Sequence, residues 1–124
     1  MNIDDGLIKL LAELGFMAGG YGMINQTDAI VGALEALRPN SENPYLIQAL
    51  ARINLRDATG AERILRERAL KVNPDSAMAK AYLGLALHAQ VRINERDQVL
   101  NEALASEDDD AVALAQRLLE TPPD

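Results

Sequence analysis

The sequence predicts an all-α fold: a short α-solenoid of three helix hairpins with one further helix capping its C-terminal end. Three observations predict it. The hydrophobic fraction is 48% but aromatics are only 3%, so the apolar mass is Ala, Leu, Ile and Val. Alanine and leucine are the strongest helix formers. Apolar residues recur at helical spacing in successive stretches separated by Gly, Pro and Asn. Residue pairs also recur along the chain at a period of about 34 residues. A length of 124 residues fits one domain, 1–124.

The elements follow in order. Asp4 or Asp5 can cap a first helix, whose apolar residues are Leu7, Ile8, Leu11, Ala12, Leu14 and Ala18. Gly19, Gly20 and Gly22 break it. A second helix opens at Asn25, carries Ile30, Val31, Ala33, Leu34 and Leu37, and stops at Pro39. Asn43-Pro44 starts a third, with Leu46, Ile47, Ala49, Leu50, Ile53 and Leu55. Thr59-Gly60-Ala61-Glu62 reads as a capping box for a fourth, which carries Ile64, Leu65, Ala69 and Val72 and ends at Asn73-Pro74.

The fifth helix runs from Ser76 to about Val91. Between Ala77 and Ala89 its only polar side chains besides Tyr82 are Lys80 and His88, so it must be buried on more than one side. Either it is central to the fold or a partner covers one face. Asn94 to Ala105 gives a sixth helix. Ser106-Glu107-Asp108-Asp109 can cap a seventh, at about 109–120, before Pro122 and Pro123.

Leu14-Gly15 recurs as Leu83-Gly84, two periods on; Ala69-Leu70 recurs as Ala103-Leu104, and Pro39 as Pro74. This spacing resembles the tetratricopeptide repeat, with units at about 8–41, 42–75 and 77–110. Gly15 and Gly84 fall where paired helices need a small residue. Leu11, Leu14, Ala18, Val31, Leu34 and Pro39 take core positions in the first unit. Leu83, Gly84, Leu87, Leu100 and Ala103 do so in the third. The middle unit departs from the pattern, with Leu50 where the glycine would fall.

Stacked hairpins line a concave face with the first helix of each pair. The inward positions are Lys9, Ala12 and Phe16, then Ile47, Ala51, Asn54 and Leu55, then Met78, Ala81, Leu85, His88 and Ala89. The set predicted to bind a partner is Phe16, Ile47, Ala51, Leu55, Met78, Ala81, Leu85, His88 and Ala89. It is mostly apolar and lacks the Lys, Arg and Asn that hold a terminal carboxylate. It suits the apolar face of an amphipathic helix.

Composition narrows the remaining classes. A net charge of −7 opposes binding to phosphate backbones and anionic membrane surfaces. The chain has no cysteine, so disulfides and thiolate metal sites are excluded and a reducing compartment is expected. No run of apolar residues is long enough to span a bilayer. The acidic start Met1-Asn2-Ile3-Asp4-Asp5 lacks the features of a secretory leader. A cytoplasmic protein is therefore expected.

No constellation suggests catalysis. His88 is the only histidine and has no evident Ser or Asp partner. Gly19-Gly20-Tyr21-Gly22 follows a helix, lacks the Gly-Lys-Ser/Thr ending of a phosphate loop, and reads as a hairpin turn. Asp108, Asp109 and Asp110 lack calcium-loop spacing and read as capping residues. Arg63, Arg66 and Arg68 with Glu62 and Glu67 read as a solvated, paired helix face. The expectation is a non-enzyme with no cofactor and no metal.

The chain also resembles the small chaperone-like components of bacterial type III secretion, both the needle-subunit chaperones and the hypersensitive-response secretion proteins. The resemblance lies in Asp28-Ala29-Ile30-Val31 to Leu37-Arg38-Pro39, in Ala61-Glu62-Arg63-Ile64-Leu65-Arg66, and in Ala79 to Ala86 with Asp110-Ala111-Val112-Ala113-Leu114. It implies a cytoplasmic holder of a secreted, self-polymerising subunit, whose amphipathic helix would lie in the groove lined by Phe16, Ile47, Leu55, Met78, Leu85 and Ala89. It also implies a small helical co-chaperone. The alternative is a scaffold module, able to form a homo-oligomer, without a secretion role.

Overall fold

The computed structural model describes residues 3–122, with side chains from Asp5 onward. Met1, Asn2 and Pro123, noted in the sequence, lie outside the described residues. The helices are α1 (Ile3–Gly20), α2 (Ile24–Leu37), α3 (Asn43–Asn54), α4 (58–72), α5 (Ala77–Ala89), α6 (Ile93–Leu104) and α7 (Asp109–Leu119). No strand occurs among the described residues.

Consecutive helices pack against each other, and each also meets near neighbours along the chain. α1 contacts α2 and α3; α3 contacts α4 and α5; α5 contacts α6 and α7. That pattern is a solenoid. Three hairpin turns share one backbone geometry. The N–H groups of Met23, Asp57 and Arg92 donate to the carbonyls of Ala18, Arg52 and Leu87 at 3.0, 2.8 and 3.0 Å. The residue before each donor, Gly22, Arg56 or Val91, has φ of 67°, 64° or 58°. This is the left-handed helix cap that closes a helix C-terminus. Glycine suits it at Gly22; Val91, which is β-branched, is strained there.

Capping explains the starts. Ser76 Oγ accepts from Ala79 N–H at 3.1 Å. Asp108 accepts from Asp110 and Ala111 N–H, each at 3.1 Å. The expected capping box at Thr59 is not formed. Asp57 caps α4 instead, accepting from Gly60 N–H at 2.9 Å. Helix α4 begins at Ala58, so Thr59 lies inside it. Neither Asp4 nor Asp5 stands ahead of the first helix, which already includes Ile3; Asp5 pairs with Arg38 at 3.0 Å.

Helix α4 contains a π-turn at Leu65–Ala69. Ala61, Leu65 and Ala69 are all fully buried. In an α-helix a four-residue step overshoots a turn by about 40°. The wider π-turn reduces that drift and keeps the three in line with the core. They pack there with Leu46 and Ala49 of α3 and with Ala79, Leu83, Ala86 and Leu87 of α5. Helix α5 is thus central to its own chain, which accounts for its apolar surface.

The expected close approaches occur at both glycines. A Cβ at Gly84 would fall within the Leu100 side chain of α6. At Gly15 it would meet Ile30 of α2 and Ile47 of α3. Two residues expected in the core are not there: Leu14 is 44% exposed and Pro39 is also exposed. The matching Leu83 is 1% exposed because α3 and α4 cover it. No helix among the described residues covers Leu14 in the same way.

Polar contacts tie the later turns together. Glu62 of α4 accepts from Arg92 at 2.7 Å, Gln90 at 3.0 Å and Arg66 at 2.9 Å. Burial pushes its carboxyl pKa up, but these hydrogen bonds outweigh burial and hold it below its ordinary 4.5. Arg92 also pairs with Glu95 at 2.6 Å. The expected paired face is therefore real at Glu62 and Arg66, and it reaches across to the α5–α6 turn. Arg68 stands over the Tyr45 ring, 5.8 Å from its centroid.

Candidate functional site

The C-terminal half of α1 and the N-terminal halves of α3 and α5 face a shared cleft of about 580 Å³. Phe16 of α1, Leu46 of α3, and Ala77, Met78 and Tyr82 of α5 supply its apolar part. Met78 and Tyr82 are four residues apart and so share one face of α5. Burial pushes the Tyr82 phenol pKa up. A second hollow of about 720 Å³ shares Phe16 and Asn43 with the first and adds Ile8, Lys9 and Ala12.

The rim of the first hollow has one sign of charge. Glu42, Asp75, Glu107, Asp108 and Asp110 line it, and no Lys or Arg does. Two of these carboxylates have structural duties. Asp108 caps α7. Glu42 Oε1 accepts from Asn73 Nδ2 at 2.9 Å, fastening the α2–α3 turn to the α4–α5 turn. Glu42 Oε2 is buried and has no hydrogen-bond donor. A buried carboxylate oxygen without a donor is costly.

The nine expected binding residues are spread over three environments. Phe16 and Met78 line the cleft. Ile47, Ala51 and Ala81 are fully buried, which corrects their expected place on an open groove. Ile47 packs with Val31 and Leu34, and Gly19 brings α1 against the backbone of Ile47 and Ala51. Ala81 packs with Leu100, Ala103, Ala111 and Ala115. Glycines and alanines let adjacent first helices close on each other, so this row forms their seam.

The other four lie near the opposite ends of α3 and α5. Leu55 is exposed beside Gly22, and Ala89 is exposed at the end of α5. Leu85 packs against the cluster that joins α5 to α6 and α7. His88 Nδ1 lies 2.8 Å from Arg96 Nη1. A guanidinium has no acceptor, so Nδ1 receives the proton and the imidazole carries its own on Nε2. Arg96 is 4% exposed and also reaches Asp97 at 2.8 Å and the Thr121 carbonyl at 3.1 Å. His88 thus helps seat a buried arginine.

Sequence reasoning missed Leu46, Tyr82 and the acidic rim. The four-residue step from Met78 was the available signal for Tyr82. The rim is scattered over three turns, and nothing in the linear order of Glu42, Asp75 and Glu107 brings them together. Among the described residues, no group of three His, Asp or Glu side chains is placed to hold a metal ion. Likewise, no described helix is long and apolar enough to cross a membrane.

The family model described as "Bacterial type III secretion protein (HrpB1_HrpK)" matches residues 1–122. No curated protein matches the chain. The chain belongs to that type III secretion family.

Proposed function

We propose that this secretion protein is a non-catalytic holder of another protein, and that its hairpins are degenerate tetratricopeptide-like units. The turn geometry that returns at Gly22, Arg56 and Val91, 34 and 35 residues apart, supports the repeat. The observation that carries the holding role is the cleft: apolar residues from three helices beneath a rim of carboxylates. Such a cleft suits an amphipathic helix that has an apolar face with Lys or Arg beside it. The occupant is a helix of a needle-type secreted subunit, held before assembly, with a small helical co-chaperone beside it.

Co-expression with the needle-type subunit of the same secretion system tests this. The wild-type chain should co-purify with it, and the double variant Asp75→Lys, Glu107→Lys should not. Both residues are exposed and neither caps a helix, so helicity should not change. Equal recovery with both chains would refute the cleft. This reading places the protein in the cytoplasm with the unexported subunit. Recovery in the periplasmic fraction of intact cells would overturn that placement.

A further inference from the structure

Helix α1 carries an apolar stripe that faces away from the cleft. Leu7, Leu10, Leu14 and Met17, with Tyr21 one residue past the end of the helix, follow each other at steps of three, four, three and four residues. That is the a/d spacing of a coiled-coil seam. All five are exposed: 40%, 52%, 44%, 61% and 78% in that order. At 100° per residue the stripe is centred roughly 140° around the helix from Phe16, which lines the cleft.

The repeat shows what such a face is for. Moving 69 residues along the chain, these positions become Ser76, Ala79, Leu83, Ala86 and Gln90. On α5 that face is covered by α4. Ala79, Leu83 and Ala86 pack with Ala61, Leu65 and Ala69, and Gln90 donates to Glu62 at 3.0 Å. The short 73–76 connection makes α4 antiparallel to α5. The face of α1 has no such cover among the described residues. Four of its five side chains are also larger than their counterparts, and Leu14 matches Leu83, as suits interlocking knobs rather than the close approach of small residues.

We infer that this stripe is covered by α1 of a second copy of the chain, in an antiparallel, two-fold pairing. The spacing of Leu7, Leu10, Leu14 and Met17 is symmetric about residue 12, so antiparallel packing sets Leu7 against the partner's Met17 and Leu10 against the partner's Leu14. The other end of the solenoid does not offer a match for head-to-tail stacking. The exposed residues of α7 include Asp109, Asp110, Gln116 and Arg117, a polar cap. A self-complementary apolar face opposite a polar one closes as a dimer and does not extend as a fibre. With roughly 200 Å² for a fully exposed large side chain, the stripe offers on the order of 600 Å² per copy, against about 800 Å² in a standard interface. A dimer of this size dissociates on dilution.

The test is the molar mass of the purified chain alone by light scattering and sedimentation, from about 5 to about 200 µM. The expected mass rises with concentration towards twice 13.5 kDa. Leu14→Glu should hold it at one copy with unchanged helicity, because Leu14 is exposed and the fold does not rest on it. The chain lacks cysteine, so orientation is readable as well. A mixture of Leu10→Cys and Leu14→Cys chains should form the mixed disulfide faster than either forms its own. A wild-type chain that stays monomeric at the highest concentration overturns the inference and leaves the stripe to a different protein. So does a dimer that survives Leu14→Glu, or homotypic cross-linking as fast as mixed. None of these outcomes touches the cleft, which is tested separately by the Asp75 and Glu107 variants.

Discussion

The contact of Gly84 with Leu100 makes a prediction whose sign depends on background. An alanine Cβ at position 84 would fall within the Leu100 side chain. Leu100 is fully buried, so it cannot swing aside into solvent. Overpacking of this kind costs about 1–3 kcal/mol, while replacing a helical glycine by alanine returns about 1 kcal/mol. Gly84→Ala should therefore destabilise by up to about 2 kcal/mol. Leu100→Ala alone should cost about 2–5 kcal/mol through the cavity it leaves. In that background the new methyl group meets empty space, and Gly84→Ala should stabilise by about 1 kcal/mol. The two sites are thus coupled by about 1–3 kcal/mol. Urea denaturation of the four chains, followed by circular dichroism, measures the cycle. Gly32→Ala is the control: nothing lies within 4 Å of its added methyl, and it should stabilise slightly. The reasoning is refuted if Gly84→Ala has the same effect, within about 0.5 kcal/mol, in both backgrounds.

Three further predictions rest on single contacts. Glu62→Gln should cost about 1–2 kcal/mol at pH 7, the value for charged hydrogen bonds reduced because Arg66 and Arg92 are partly in water. The Glu62 pKa is lowered on folding, so its contribution is present above 4.5 and is lost as pH falls through the folded value. Denaturation at pH 7 and pH 3 should show the two chains converging in acid, and a constant gap would contradict this. Val91→Gly should stabilise by about 1 kcal/mol, because Val91 is exposed and sits at φ 58°; an unchanged melting midpoint would show that the turn is not strained. Arg96→Met should cost about 2–3 kcal/mol by stranding His88 Nδ1 and the Thr121 carbonyl, and Arg96→Lys should recover only part of it, since lysine cannot fork to all three acceptors. Thermal melts compare them, and full recovery by lysine would sink the account.

The fold was largely legible because it is written in residues whose roles are local. Glycine at 15 and 84, serine at 76 and aspartate at 108 each act within a turn or against one or two neighbouring helices. Helical periodicity located each element within a few residues. Burial was harder to read. Leu14 and Leu83 occupy the same place in the period, yet one is exposed and the other covered. The difference is the presence of α4, which no residue in α1 reports. The turn geometry also escaped notice, because Arg56 and Val91 carry no mark of the conformation that Gly22 advertises.

Of the inward positions expected from the sequence to bind a partner, Phe16 and Met78 line the cleft. Counting inward positions treats the first helices as standing apart. In the structure small residues draw them together, and Ile47, Ala51 and Ala81 vanish into the seam. The cleft opens instead at Phe16 and at the N-terminal halves of α3 and α5, where four-residue steps such as Met78 to Tyr82 remain uncovered. The Glu42–Asn73 contact joins turns 31 residues apart, a pairing that no helical period encodes.

The solenoid's pattern of contacts has a bearing on how the molecule comes apart. Among the described residues, helix α1 packs mainly on α2 and α3, whereas α5 is gripped by α3, α4, α6 and α7. Opening the first hairpin breaks one interface and leaves the rest of the stack standing. Amide protons in α1 and α2 should therefore exchange through partial opening, while those of α5 wait for global unfolding. A helix that loosens first also remains free longest to change its neighbour, and it is the helix that carries the uncovered stripe.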